Sequence, residues 1–372
     1  MPPPHRPFRP TPRASSLRAP RRLALFFALL ILATGCGRSG TSDAPLPPPS
    51  HRLIAYVMGS RSAGVRPVAA QKLTHVNYAF ANVRDDEVVL EDPRDPERLE
   101  RLTALRTYNP DLKILLSVGG WSWSENFSDA ALTGASRKRF ARSAAALVEA
   151  HDLDGLDIDW EYPGQRGEDN VFRPEDKQNF TRLMEALRAQ LDSLGAATGR
   201  TGADRYLLTI AAATDSTYLA HTEMDAVQRH LDFVNLMTYD FHGPWTPTTG
   251  HHTNLYRSGA APAVDASAAD AVERFVAAGV PREKLVVGAA FYGRRWRGVA
   301  PDGRGLYQPY DTALIPLSYD SLATAYIGRN GFTRHWDEAA QAPYLWHPEN
   351  AMFITYDDPA SLRAKAAFVR AE

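Results

Sequence analysis

Seven short apolar runs rich in β-branched residues, separated by longer segments of helical period, predict an α/β fold. The expected form is a (β/α)8 barrel of the TIM type with its eighth strand missing, plus a small α+β insertion after strand seven. Two further observations carry that reading. The runs are apolar almost throughout, as strands of a parallel sheet covered by helices must be. No glycine-rich dinucleotide fingerprint or phosphate loop follows the first run, which counts against an open doubly wound sheet.

The chain opens on an address. Residues 1–22 are rich in Pro and Arg and end in Arg21-Arg22, a pair also found in twin-arginine signals. The apolar run Leu23–Leu32 follows, then Ala33-Thr34-Gly35-Cys36. That run is too short to span a bilayer, which needs about 20 residues. A basic region, a short apolar core and small residues before a cut read as an export signal over residues 1–36. Ala33–Cys36 resembles the lipobox of bacterial lipoproteins, which implies lipidation at Cys36. The expected location is the bacterial cell envelope, lipid-anchored, or the exterior. Residues 37–50 are small, polar and Pro-rich, as a flexible linker would be.

Cys36 is the only cysteine, so the folded part has no disulfide framework, cysteine-ligated metal or catalytic thiol. The first 36 residues hold six Arg and no acid, which leaves the remainder with a net charge of −7. No basic surface for a nucleic-acid backbone is expected.

The strand candidates are Leu53–Val57, His75–Ala81, Lys113–Val118, Gly155–Trp160, Leu207–Ala212, Phe233–Tyr239 and Leu285–Ala290. Helices are expected at Pro96–Tyr108, Ser136–His151, Pro174–Leu194 and Ser267–Ala278. In the second of these, Phe140, Ala144, Leu147 and Val148 form one buried stripe. Pro174 suits a first helical turn, and Gly279 with Pro281 suits a helix end. A barrel over residues 51–293 is therefore expected. Residues 294–354, rich in Tyr, Trp, Gly and Pro, form the insertion. Residues 355–372 hold a last helix, and the chain ends before strand eight.

The fourth run carries the chemistry. Residues 154–163 read DGLDIDWEYP. Alternation along a strand points Asp157, Asp159 and Glu161 to one face, roughly 7 Å apart, and in a barrel that face is the interior. Glu161 then lies at the C-terminal mouth, where barrel enzymes place their sites. Three carboxylates facing an apolar interior cannot all ionise, so at least one proton is shared and one acid stays protonated near neutral pH. A general acid requires that state. A magnesium or calcium site is the rival reading, although no nearby His or Asn set completes it.

These residues resemble the DxxDxDxE signature of glycoside hydrolase family 18, the chitinase family. Ser117-Val-Gly-Gly-Trp121, Met237-Thr-Tyr-Asp240, Phe291-Tyr-Gly-Arg294 and Thr355-Tyr-Asp-Asp358 resemble further family motifs, on strand three, on strand six, at the end of strand seven and at the close of the insertion. The likeness covers about residues 52–372. It implies cleavage of β-1,4 bonds between N-acetylglucosamine units by substrate-assisted, retaining catalysis, with no cofactor and no metal. Glu161 would be the acid and then the base. Asp159 would orient the substrate's acetamido group, Asp157 would share a proton with Asp159, and Tyr239 would bind the acetamido oxygen. Asp154 would support the strand end, with Tyr56 and Ser117 supporting the Asp pair from below. Trp121, Met237, Asp240, Tyr292, Trp245 and Arg294 would line the sugar cleft.

Blander readings stand beside these. Met237, Trp123 and Trp296 suit core packing, Tyr56 and Ser117 suit satisfied core polars, and His251-His252 reads as a surface loop. In the family a strand eight bearing a Trp floor follows the last helix, and without it the barrel stays open and turnover by this chain is in question. The alternatives are a lectin-like, non-hydrolytic chitin-binding protein and an endo-N-acetylglucosaminidase on another glycan. The expected partner is chitin or its oligosaccharides, met by a monomer with no nucleic acid.

Overall fold

The computed structural model describes residues 51–261 and 266–372. The export signal, Cys36 and the linker expected over residues 1–50 lie outside the described residues. Seven parallel strands form the main sheet: β1 (Ile54–Met58), β2 (His75–Arg84), β3 (Lys113–Gly119), β4 (Gly155–Asp159), β5 (Leu207–Ala212), β6 (Phe233–Leu236) and β7 (Leu285–Val287), paired in that order. A short strand, Glu87–Val89, adds to the end of β2. Each expected run is a strand, although β6 and β7 stop short of Tyr239 and Ala290.

The longer connections are helices: α1 (Asp95–Thr103), α2 (Gly134–Ala150), α3 (Asp176–Thr198), α4 (Ala268–Ala277) and α5 (Pro359–Ala371). Their ends are set by side chains. Thr133 and Ser136 form a capping box at α2, Ser267 accepts from Asp270 N–H at α4, and Asp358 with Ser361 caps α5. Helix α3 starts at Asp176, two residues beyond Pro174. Short helices at Pro67–Ala70, Phe127–Leu132, Ser216–Ala220, Met224–Val227 and Tyr319–Ala325 were not legible from periodicity.

Alternation along the strands sorts the side chains. Leu116, Val118, Leu156, Ile158, Leu208, Ile210 and Val234 point outward and pack under Phe140, Ala144 and Val148 of α2 and Phe180, Leu183 and Leu187 of α3. Trp160, 1% exposed, stacks on Phe127 at 5.4 Å and meets Phe180 edge-on at 5.8 Å. The opposite face of the sheet is unusually polar, because Asn77, Ser117, Asp157, Thr209 and Asn235 are all buried there.

Among the described residues no strand joins β7 to β1, so the sheet curls without closing. Tyr56 and Met58 on the β1 edge are exposed as a result. The architecture is that of a (β/α)8 barrel lacking its eighth strand.

A second, antiparallel sheet follows β7. It contains β8 (Tyr292–Arg297), β9 (Thr312–Ser318), β10 (Thr333–Asp337), β11 (Ala342–His347) and β12 (Met352–Thr355), in the order β9-β8-β12-β11-β10. Phe291–Arg294, expected to finish strand seven, instead leads into β8. Trp296 and Phe353, paired in register, bury one face of this sheet, and Leu345 and Ile354 the other. No described helix is long and apolar enough to cross a membrane.

Candidate active site

Asp157 sits in the middle of β4, wholly buried, and four donors surround its carboxylate. Tyr56 Oη and Ser117 Oγ each donate to Oδ2 at 2.8 Å. Thr209 Oγ1 and Asn235 Nδ2 donate to Oδ1 at 2.6 and 3.1 Å. The donors come from β1, β3, β5 and β6, so Asp157 ties four other strands to β4. Ser117 and Thr209 are its register partners on the two flanking strands. Burial raises the Asp157 pKa, and the hydrogen bonds of Thr209, Ser117, Tyr56 and Asn235 work against that rise.

Asp159, two residues on, faces the same interior and is buried too. Its Oδ1 has no hydrogen-bond partner. Burial, then the charges of Glu161 and Asp157, lift its pKa well above the usual carboxylate range. No hydrogen bond joins Asp157 to Asp159 in this geometry: the four donors occupy the oxygens of Asp157, where a shared proton was expected.

Glu161 follows the strand at the mouth of the sheet, 8% exposed. Its N–H donates to Ser124 Oγ at 2.8 Å, and that hydroxyl points back to Gly120 O and Asp159 O. Burial pushes the Glu161 pKa up to about 7, with Asp240 and Glu168 adding to the rise and Tyr162 opposing it. The close approach of β3 to β4 needs glycine here. Gly119 has φ +105°, and a Cβ on it would stand 2.3 Å from Asp159 O. Among the described residues no three His, Cys, Asp or Glu converge as a metal cluster.

The loop after β6 and the start of β8 form the opposite wall. The Tyr239 and Tyr292 rings meet edge-on at 6.2 Å. Burial, followed by the nearby carboxylates, keeps the Tyr239 phenol protonated far above neutral pH. Arg294 Nε donates to Asp240 Oδ1 at 2.6 Å, and its guanidinium lies over the Trp245 ring at 4.6 Å. Burial works to raise the Asp240 pKa, yet the nearby His252 ring and the bond from Arg294 prevail and hold it well below the ordinary range. Trp245 is 60% exposed and Trp121 is 49% exposed. Trp121 meets Tyr162, the residue after Glu161, at 6.4 Å. The two indoles are therefore open apolar faces, one beside Tyr162 and the other beneath Arg294.

Other candidates fall elsewhere. Asp154 lies at the foot of β4, where Arg106 Nη2 reaches Oδ2 at 2.7 Å, Arg200 Nη2 reaches Oδ1 at 2.9 Å, and Ile114 N–H donates to Oδ2. Met237 is half-buried against the main hydrophobic core. Trp296 is wholly buried in the second sheet. His251 and His252, read as a surface loop, are 1% and 0% exposed, because their loop is pinned beneath the second sheet. Thr209, Asn235 and Ser124 were missed. The first two could have been found as lone polar residues within the apolar runs LLTIAA and FVNL.

The family model for glycosyl hydrolases family 18 matches residues 52–372. Chitinase A1 of Niallia circulans is 35% identical over 387 residues, covering 87% of this chain and 55% of that protein, so the chain spans about half its length. A solved structure of a glycoside hydrolase family 18 N-acetylglucosaminidase from Paenibacillus barengoltzii superposes with a TM-score of 0.81 at 45% identity, covering 86% of this chain and 92% of the other. A class V chitinase from Nicotiana tobaccum in complex with NAG4 superposes with a TM-score of 0.75 at 26% identity, covering 86% and 91%. With the family model spanning both sheets and the whole carboxylate ladder, the chain belongs to glycosyl hydrolases family 18.

Proposed function

We propose that this chain hydrolyses β-1,4 bonds between N-acetylglucosamine units of chitin or chito-oligosaccharides by substrate-assisted, retaining catalysis. The observation that carries the reading is Glu161: a buried carboxyl at the mouth of the sheet, its pKa pushed up to about 7, beside a second buried acid with an unpartnered oxygen. A protonated acid at neutral pH gives its proton to the glycosidic oxygen as the bond to the leaving sugar breaks. The substrate's acetamido oxygen attacks the anomeric carbon from the other face and forms an oxazolinium ion. Family 18 is in this respect an exception to the two-carboxylate scheme of most glycoside hydrolases. Glu161, now ionised, takes a proton from water, which opens the ring and restores the original anomeric configuration.

Asp159 accepts the acetamido N–H and stabilises the developing positive charge. Its free oxygen lets it do so without displacing another donor. Asp157, locked by its four donors, fixes the position of β4 and the charge beneath Asp159. Tyr239 donates to the acetamido oxygen. Asp240, Arg294 and Tyr292 hold sugar hydroxyls, while Trp121 and Trp245 stack on pyranose faces.

The N-acetylglucosaminidase named among the similar structures favours a second reading of the same chemistry, in which single N-acetylglucosamine units are released from chain ends. Product sizes over the first minutes distinguish the two: monomer alone supports it, and mixed oligomers support internal cleavage. The mechanism itself is tested with an oligosaccharide whose cleaved sugar lacks the N-acetyl group. That substrate stays intact if the acetamido group is the nucleophile, and ready cleavage overturns the mechanism. Export and lipid attachment at Cys36 rest on residues 1–36, and the mass of the mature N-terminus tests them.

A further inference from the structure

The loop after β6 passes Asp240 and returns to it twelve residues later at His252. Asp240 is a residue whose direction needs fixing. Its φ is +61°, in the left-handed region, and a third of its side chain is exposed. Arg294 holds Oδ1 from one side. His252 stands behind the same oxygen, with Nδ1 at 3.4 Å, an electrostatic contact longer than a full hydrogen bond.

His252 is held through its backbone and by packing, while neither ring nitrogen has a full hydrogen-bond partner. It is wholly buried, and its ring packs on that of Tyr292 at 5.3 Å with the planes tilted by 43°. Its N–H donates to Thr355 Oγ1 on β12, and its carbonyl accepts from Phe241 N–H. The next residue, Thr253, donates to Asp357 Oδ2 at 2.9 Å, and Lys365 Nζ of α5 closes on the same oxygen at 2.6 Å. The backbone that carries the ring is thus fixed by the second sheet and the last helix, and the ring itself touches two residues of the cleft wall, Tyr292 and Asp240.

We propose that His252 is a positioning residue for this site: its ring aims the Asp240 carboxylate and seats the Tyr292 ring, so that the second sheet sets the sugar-binding wall. This rests on the reading that Asp240 and Tyr292 contact sugar. The groups facing the imidazole are Asp240, Asp357, Arg294 and Tyr292. Burial lowers the His252 pKa, against the pull of Asp240 and Asp357, so the ring is neutral at neutral pH. The neutral tautomer that serves Asp240 carries its hydrogen on Nδ1.

The test has two arms. In the first, histidine ring resonances of wild type and Asp240→Asn are titrated by NMR, with His252→Asn used to assign the signal. The His252 pKa is expected to fall when the carboxylate is removed, and an unchanged value overturns the contact whether or not the protein turns over. In the second, steady-state kinetics on a chito-oligosaccharide compare His252→Leu with His252→Asn. Leucine is expected to raise KM about tenfold, and asparagine, which still offers an N–H, to recover most of that loss. Equal KM values for wild type and a folded His252→Leu overturn the proposal. A wild type without turnover instead contradicts the assigned function and leaves the NMR arm to decide this contact.

Discussion

Thr209 on β5 donates its hydroxyl hydrogen to Asp157 Oδ1 on β4 across 2.6 Å, and the two residues are direct register partners. A single side-chain oxygen thus links the floor of the catalytic carboxylates to the neighbouring strand. Thr209→Val keeps the shape and removes the donor. The variant is expected to lose about 1–3 kcal/mol of stability, as a buried acceptor loses a partner. Its kcat is expected to fall as well, because the Asp157 pKa rises with one opposing hydrogen bond gone. Denaturant unfolding and steady-state kinetics check the two effects.

Glu161 gives a stability signature independent of turnover. Its pKa is about 7 in the folded chain, against an ordinary 4.5. Between those values the folded state binds the extra proton, so this group's contribution to stability falls as pH rises through the window. Glu161→Gln cannot ionise and avoids that loss. The variant is expected to gain about 3 kcal/mol over wild type near pH 8 and little near pH 4. Thermal melts at the two pH values check it, and a gain confined to the acid side contradicts the assigned shift.

Asp240 raises the Glu161 pKa through its charge. Asp240→Asn removes that charge, so the alkaline limb of the kcat profile is expected to move to lower pH. KM is expected to rise in the same variant, because Arg294 loses its charged partner and one acceptor oxygen of the wall becomes a donor. A pH–rate profile separates the two effects.

Asp154 offers the contrasting case. It binds Arg106, Arg200 and the Ile114 N–H at the foot of the sheet, at the opposite end of β4 from Glu161. Asp154→Ala is expected to cost about 2 kcal/mol, since the Ile114 amide loses its acceptor while Arg106 and Arg200 each lose one of several. The kcat of the folded fraction is expected to stay within about threefold of wild type.

Much of this was legible because the chemistry lies on a strand. Period-two alternation placed Asp157, Asp159 and Glu161 on one buried face, and Leu156, Ile158 and Trp160 on the other, as the structure has them. The donors around Asp157 were harder to read, because Thr209 and Asn235 lie 52 and 78 residues away and meet it only through strand order. The burial of His251 and His252 left no trace in local pattern. It comes from contacts to Thr355 and Asp337, 103 and 86 residues further on. The family likeness puts Phe291–Arg294 at the end of strand seven, whereas Tyr292–Arg297 pairs into the second sheet.

The proposed chemistry stands or falls on Glu161 as the acid of a retaining, acetamido-assisted hydrolysis. The decisive experiment is proton NMR of N-acetylchitopentaose during the first minutes of incubation with the full chain and with Glu161→Gln. Wild type is expected to release its products as the β-anomer, and a folded variant that still binds the sugar is expected to release none. Release of the α-anomer, or equal turnover by both proteins, would contradict the assignment.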